Sequence, residues 1–249
     1  MLQEVDQTEK ASGSGLPGGE ISNRPLRFYW VADVSGSMAG SKIGELNFAV
    51  REALPAMVSV AEENANIAVQ VRALQFGTGT KWITDAPVPL DQYAWRDLSI
   101  NGITDMGAAM REMARELSVD NMPDRSVPPV IILLSDGQPT DDFKGGLAEL
   151  MREPWGQRAV RISIAIGESA DLDVLQQFIG HSEIKPLVAN NSADLVNYIR
   201  WVSTAVLQTA SAPASQSTTS TTETPTAMGN IADLTPPQPI DNPADTEVW

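Results

Sequence analysis

The stretch "FYWVADVSGSMAG", residues 28–40, decides the fold. It begins as an unbroken apolar run and ends in a cluster of small, oxygen-bearing side chains. Phe28 to Ala32 shows none of the polar–apolar alternation of a strand wetted on one side, so it reads as an interior strand of a parallel sheet, covered on both faces. Asp33 then leaves the core, with Ser35 and Ser37 at the next two alternate positions. Parallel sheets gather ligands at the carboxyl ends of their strands, so this tip is the first place to look for a site.

Working outward, "LRFYWVAD", "IAVQVRALQF", "PVIILLSD" and "AVRISIAIG" are short β-branched or apolar runs, and three of the four lack clean alternation. Helical patterns lie between and after them. Ile43, Leu46, Val50, Ala53 and Met57 share one face, as do Met106, Ala109, Met110, Met113 and Leu117, and Leu195, Ile199, Val202 and Val206 form a closing helix. "TKWITD" follows the second strand so closely that it should hairpin back as an antiparallel edge strand. The alternation predicts an α/β fold: a doubly wound, mostly parallel sheet with one antiparallel edge strand and helices on both faces. Residues 1–24 read as a flexible extension, 25–210 as the folded domain, and 211–249 as an acidic Ser/Thr/Pro-rich tail whose composition cannot bury a core.

The net charge of −15 argues against a nucleic-acid partner, because a phosphate backbone is held by clustered lysine and arginine. Five acidic residues of the tail, Glu223, Asp233, Asp241, Asp245 and Glu247, meet no basic residue after Arg200. With no cysteine and only His181, thiolate chemistry and histidine-rich zinc sites are excluded, so any metal must be held by oxygen. No apolar run approaches the roughly 20 residues of a membrane span, and the N-terminus lacks the basic-then-apolar order of a secretory leader. These features predict a cytoplasmic protein with no membrane partner.

In a doubly wound sheet the ligand crevice opens where strand order reverses, between the first strand and, in the common order, the fourth. Counted along the chain, "PVIILL" is that fourth strand, and Asp136 leaves it in "SDGQPT" at the same edge as Asp33. Thr104, in "NGITDMG", adds a third hydroxyl ahead of a helical pattern. Two carboxylates and three hydroxyls form a hard ligand set suited to Mg²⁺ or Mn²⁺. Gly36 is expected to let the chain turn so that Ser35 and Ser37 converge. An ion with so few charged ligands would attract a carboxylate from elsewhere.

"DVSGS", Thr104 and "LSDGQPTDD", in this order, resemble the metal-ion-dependent adhesion site of von Willebrand factor A (VWA) domains, over about residues 25–207. Within that superfamily, "DVSGSMAGSKIGELNFAV", "GITDMGAAM" and "LLSDGQPTDD" are similar to bacterial tellurium-resistance TerY-type proteins. The resemblance implies direct metal contacts from Ser35, Ser37 and sometimes Thr104. It implies that Asp33 and Asp136 act largely through water or hydrogen bonds, and that a partner's Asp or Glu completes the octahedron. It further implies a non-catalytic, Mg²⁺-dependent interaction module in a bacterial signalling or stress-response set with a Ser/Thr kinase and a PP2C-type phosphatase. The alternative is a regulatory subunit of an ATPase or chelatase.

Plainer roles stand beside these. Thr104 is a natural N-cap, and Asp105, Asp141 and Asp142 read as loop acids or helix-start residues. His181, after Gly180, reads as a helix-end or surface residue, and Trp30, Trp82 and Trp201 as packing. Trp95 and Trp155 sit in loop-like contexts open to interface use, with burial the simpler role. Enzyme readings fail on missing groups. A haloacid-dehalogenase-type phosphatase needs an aspartate where Ser35 stands, no "GxSxG" elbow accompanies the lone histidine, and no phosphate-binding "GxxxxGK[ST]" is present.

Overall fold

The computed structural model describes residues 23–64, 67–211 and 234–239. Among the described residues, five parallel strands make up most of a seven-stranded sheet: β1 (Arg24–Asp33), β2 (Ile67–Gly77), β5 (Val130–Ser135), β6 (Val160–Ile166) and β7 (Leu187–Ala189). β3 (Gly79–Trp82) hairpins back onto β2 as the expected antiparallel edge, and a two-residue strand, β4 (Val88–Pro89), pairs the same side of β2. The order is β3-β2-β1-β5-β6-β7, which reverses between β1 and β5. "PVIILL" is thus the fifth strand in sequence, because β4 is too short to leave a periodic signal. Its place beside β1 is the expected one.

The apolar runs are interior strands because both faces are covered. Every residue of β5 and β6 is buried, as are the last six of β1. Helix α1 (Ser41–Glu62) and the closing helix α6 (Ser192–Ser211) pack against each other over one face. Helices α2 (Met106–Glu116) and α3 (Phe143–Leu150) do so over the other, as right-handed crossovers on either side of the reversal require. Leu46, Val50, Ala53 and Met57 of α1, and Leu195, Ile199, Val202 and Val206 of α6, are all fully buried. At roughly 1.5–3 kcal/mol per buried aliphatic side chain, such stripes outweigh helix propensity in fixing both helices.

Two short helices, α4 (Pro154–Arg158) and α5 (Leu172–Ile179), complete the fold. Asp171 caps α5 by accepting from the N–H groups of Asp173 and Val174, each at 3.1 Å, and Gly180 ends it in the left-handed region at φ 68°. His181 follows, half-buried, its Nδ1 accepting from the Glu183 N–H at 3.4 Å. Of the tryptophans, Trp30 is fully buried, while Trp82, Trp155 and Trp201 pack partly buried against the core. Trp95 is buried too, donating from its indole N–H to Asn47 Oδ1 at 3.0 Å, which removes it as a surface anchor.

Residues 1–22 of the extension and most of the tail, including Thr218, Thr219, Thr221, Thr222, Thr224, Thr226 and Trp249, lie outside the described residues, while Arg24 opens β1. One part of the tail departs from its reading as a coreless segment: Leu234 packs against the core. No described helix is long and apolar enough to cross a membrane.

Candidate metal centre

Strand register brings the two aspartates together. Ala32 of β1 pairs with Leu134 of β5, so Asp33 ends its strand opposite Ser135, and Asp136 follows directly. Asp33 and Asp136 are 0% and 1% exposed. Asp33 is locked from both sides: Oδ1 accepts from the Ser35 N–H at 2.8 Å and Oδ2 from the Ser135 hydroxyl at 2.6 Å. Ser135 Oγ in turn accepts from the Gly137 N–H at 2.9 Å, so one hydroxyl ties the β5 loop to the β1 loop. Burial pushes the Asp33 carboxyl above the ordinary carboxylate range, the hydrogen bonds from Ser135 and Ser35 draw it back, and the nearby charge of Asp136 lifts it again.

Asp136 differs in kind. Both of its carboxylate oxygens are buried and have no hydrogen-bond partner among the described residues. Its carbonyl accepts from the Asp171 N–H at 2.7 Å, so the backbone is fixed while the side chain is left over. Buried polar groups are ordinarily paired, and a carboxylate that is not costs more than a neutral group would.

The hydroxyls arrive by three interlocked loops. After β1 a 3₁₀ turn, Gly36–Met38, places the Ser35 and Ser37 hydroxyls 3.0 Å apart, with Ser35 buried and Ser37 exposed. The convergence is the expected one, but Gly36 does not adopt a positive φ; the helical turn itself brings the side chains together. Asn101 N–H donates to Val34 O at 2.6 Å and Gly36 N–H to Gly102 O at 2.8 Å, which fastens the segment carrying Thr104 to the serine loop. Gly102 must be glycine: its φ is 67°, and a Cβ there would lie 1.9 Å from Thr78 Oγ1. Thr104, 5% exposed, is fastened to the third loop through Thr140, whose N–H donates to Thr104 O at 2.9 Å and whose Oγ1 accepts from Thr104 N–H at 3.2 Å.

Thr104 is not the N-cap of α2. That position belongs to Asp105, whose carboxylate turns away to accept from the Gly79 N–H at 2.7 Å. The α2 N-terminus is capped from across the crevice by Asp141, which accepts from Gly107 and Ala108 N–H at 2.7 and 2.8 Å, while Asp142 caps α3 through Gly145 N–H at 3.0 Å. A single helix-start reading therefore divides into three separate jobs.

Asp33, Ser35, Ser37, Thr104 and Asp136 thus all stand on the three loops that the structure fastens together at the reversal of the sheet. Sequence reasoning missed Ser135, Thr140 and the cross-capping by Asp141. Ser135 stood in plain view beside Asp136, but its partner is 102 residues away. The donor set suits a hard divalent cation, and the unpaired Asp136 oxygens are the observation that fits one. No cluster of three or more His, Cys, Asp or Glu occurs among the described residues, so a softer, higher-charge cage is not built here.

A doubly wound sheet with an all-oxygen crevice at its switch point defines a narrow class of domain. Residues 29–200 match the family model of the von Willebrand factor type A domain, and the chain belongs to that family. Similar solved structures include a von Willebrand factor type A protein from Catenulispora acidiphila (17% identity, TM-score 0.54, 74% of this chain and 43% of that one). The pilus adhesin SpaC of Lactobacillus rhamnosus GG is another (13%, TM-score 0.60, 74% and 30%). A third is proximal thread matrix protein 1 from the mussel byssus, with a zinc-occupied metal-ion-dependent adhesion site (16%, TM-score 0.54, 73% and 48%). At these identities the likeness is one of fold, and this chain spans less than half of each structure's length. No curated protein sequence matches it.

Proposed function

We propose that this chain is a non-catalytic interaction module that captures a protein partner through a divalent cation held by Asp33, Ser35, Ser37, Thr104 and Asp136. The observation that carries the reading is the buried, unpaired carboxylate of Asp136 beside the buried Asp33. Two carboxylates of like charge in one crevice are tolerable when a cation lies between them and costly otherwise. The two have unequal duties. Asp33 spends its oxygens on orienting Ser35 and answering Ser135, whereas Asp136 keeps both for the cation or for water on it. A bound divalent cation supplies a Lewis-acidic point that takes an anionic oxygen from outside. The mussel protein's site holds zinc; the absence of any Cys or His donor here favours Mg²⁺ or Mn²⁺.

The rim favours a protein over a small anion. Ile103 beside Thr104 is 53% exposed, Leu172 beside Asp171 is 44% exposed, and Ile100 is 38% exposed, so apolar side chains flank the polar crevice. Such a rim suits an Asp or Glu presented on an apolar protein surface. By resemblance to TerY-type proteins, the partners are sought in a bacterial, cytoplasmic stress-response set that includes a Ser/Thr kinase and a PP2C-type phosphatase. The test is affinity capture from the native host in Mg²⁺ and in chelator, with wild type, Ser37→Ala and Thr104→Ala. A partner lost in chelator and in both variants supports the reading. A complex indifferent to all three overturns it, and metal-dependent capture of an ATPase in place of a kinase or phosphatase selects the chelatase-type alternative.

A further inference from the structure

At the far edge of the sheet, two strands from β5, a groove runs between β7 and α6. Its wall is mostly apolar and aromatic, with Ile162 and Leu187 from the sheet, Ile184 from the preceding loop, and Tyr198 and Trp201 from α6, while Glu183 and Lys185 of that loop add charge at one side. Tyr198 is 4% exposed and Leu187 9% exposed, so these side chains are covered by something. The cover includes a piece of this chain's own tail, "LTPPQP", Leu234–Pro239. Leu234 packs against the core, and Pro236, Pro237 and Pro239 line the outer side of the same groove.

Three features suit this groove to binding an extended segment. First, β7 is an edge strand, paired only with β6 among the described strands, and an open edge invites a further strand. A proline-rich segment suits such a place because it lacks the N–H groups needed to extend the sheet and so covers the edge without nucleating pairing. Secondly, a Tyr–Trp wall is the kind of surface on which extended proline-rich segments dock, since their backbone is already ordered before binding. Thirdly, the fit is incomplete. A cleft of about 570 Å³, open to solvent on one side, is lined by both the segment and the groove wall. Asn190 lines it, and its Oδ1 is buried without a hydrogen-bond partner among the described residues. A ligand that filled the space and donated one N–H to Asn190 would gain what the present occupant forgoes.

We propose that the α6–β7 groove is a second protein-binding site that takes extended proline-rich segments, and that Leu234–Pro239 occupies it in cis and yields to a partner's segment of the same kind. The cis segment pays only the entropy of closing its linking loop in place of the cost of bimolecular association, while the unfilled cleft keeps its hold weak enough to exchange. The site is independent of the metal crevice.

The test uses the full chain and a fluorescein-labelled peptide of residues 230–243, read by fluorescence polarisation. All measurements are made in chelator, so that the acidic residues of the peptide have no cation to find. If the groove is held in cis nine-tenths of the time, wild type should bind the peptide about tenfold more weakly than Leu234→Asp, whose own segment is released. A peptide with its prolines replaced by alanine should bind Leu234→Asp at least about tenfold more weakly than the native peptide, a comparison that leaves the protein's folding untouched. Equal affinity of wild type and Leu234→Asp overturns the cis occupancy. Failure of Leu234→Asp to bind, or indifference to the prolines, overturns the site.

Discussion

Replacing Asp136 with alanine should stabilise the metal-free protein and abolish its stabilisation by metal. The carboxylate is 1% exposed, both oxygens are unpaired among the described residues, and Asp33 stands opposite with its own proton affinity raised by burial. An unsatisfied buried polar group costs about 1–3 kcal/mol. Taking about 2 kcal/mol, and about 2–4 °C of melting temperature per kcal/mol for a domain of this size, Asp136→Ala in chelator should melt about 4–8 °C above wild type. Adding Mg²⁺ at a hundred times its dissociation constant should stabilise wild type by about 2.7 kcal/mol, or about 5–11 °C, and leave the variant unmoved. The two melting curves therefore change order between chelator and metal. The assay is thermal unfolding followed by circular dichroism in EDTA and across a Mg²⁺ series. A variant that melts below wild type in EDTA, or that gains as much from Mg²⁺, would refute the argument.

Two further outcomes follow from the hydrogen bonds. Ser135→Ala strips Asp33 Oδ2 of its partner at 2.6 Å and frees the Gly137 N–H, and should weaken Mg²⁺ binding about 10- to 100-fold by calorimetry, as loss of a ligand's orienting partner does elsewhere. Asp141→Ala removes the acceptor for two α2 N–H groups and should cost about 0.5–2 kcal/mol, seen as a lower urea midpoint with an unchanged slope.

The parts of the fold legible in the sequence were those written in continuous stretches. β5 and β6 could be read because burial on both faces demands apolar residues without interruption, and α1 and α6 because a single buried face repeats at helical spacing. Asp33 and Asp136 could be placed because each directly follows or ends such a strand. What could not be read depends on partners distant in sequence. The Ser135–Asp33 bond, the Thr104–Thr140 clasp and the Asp141 cap join loops 102, 36 and 34 residues apart, and nothing local to a serine or aspartate marks it for such a role. That the α2 N–H groups are capped by Asp141 and not by Thr104 has the same origin, since the capping carboxylate comes from another loop. Leu234 was hidden for the opposite reason: a single apolar residue among prolines and acids leaves no periodic trace.

Whether the crevice between β1 and β5 holds a divalent cation can be read from anomalous diffraction of crystals soaked in Mn²⁺. One strong anomalous peak is expected among the Ser35 and Ser37 hydroxyls and the Asp136 carboxylate in wild type, and none at that position in Asp136→Ala. A crevice without a peak in wild type, or a peak that persists undiminished in the variant, would contradict the proposed cation site.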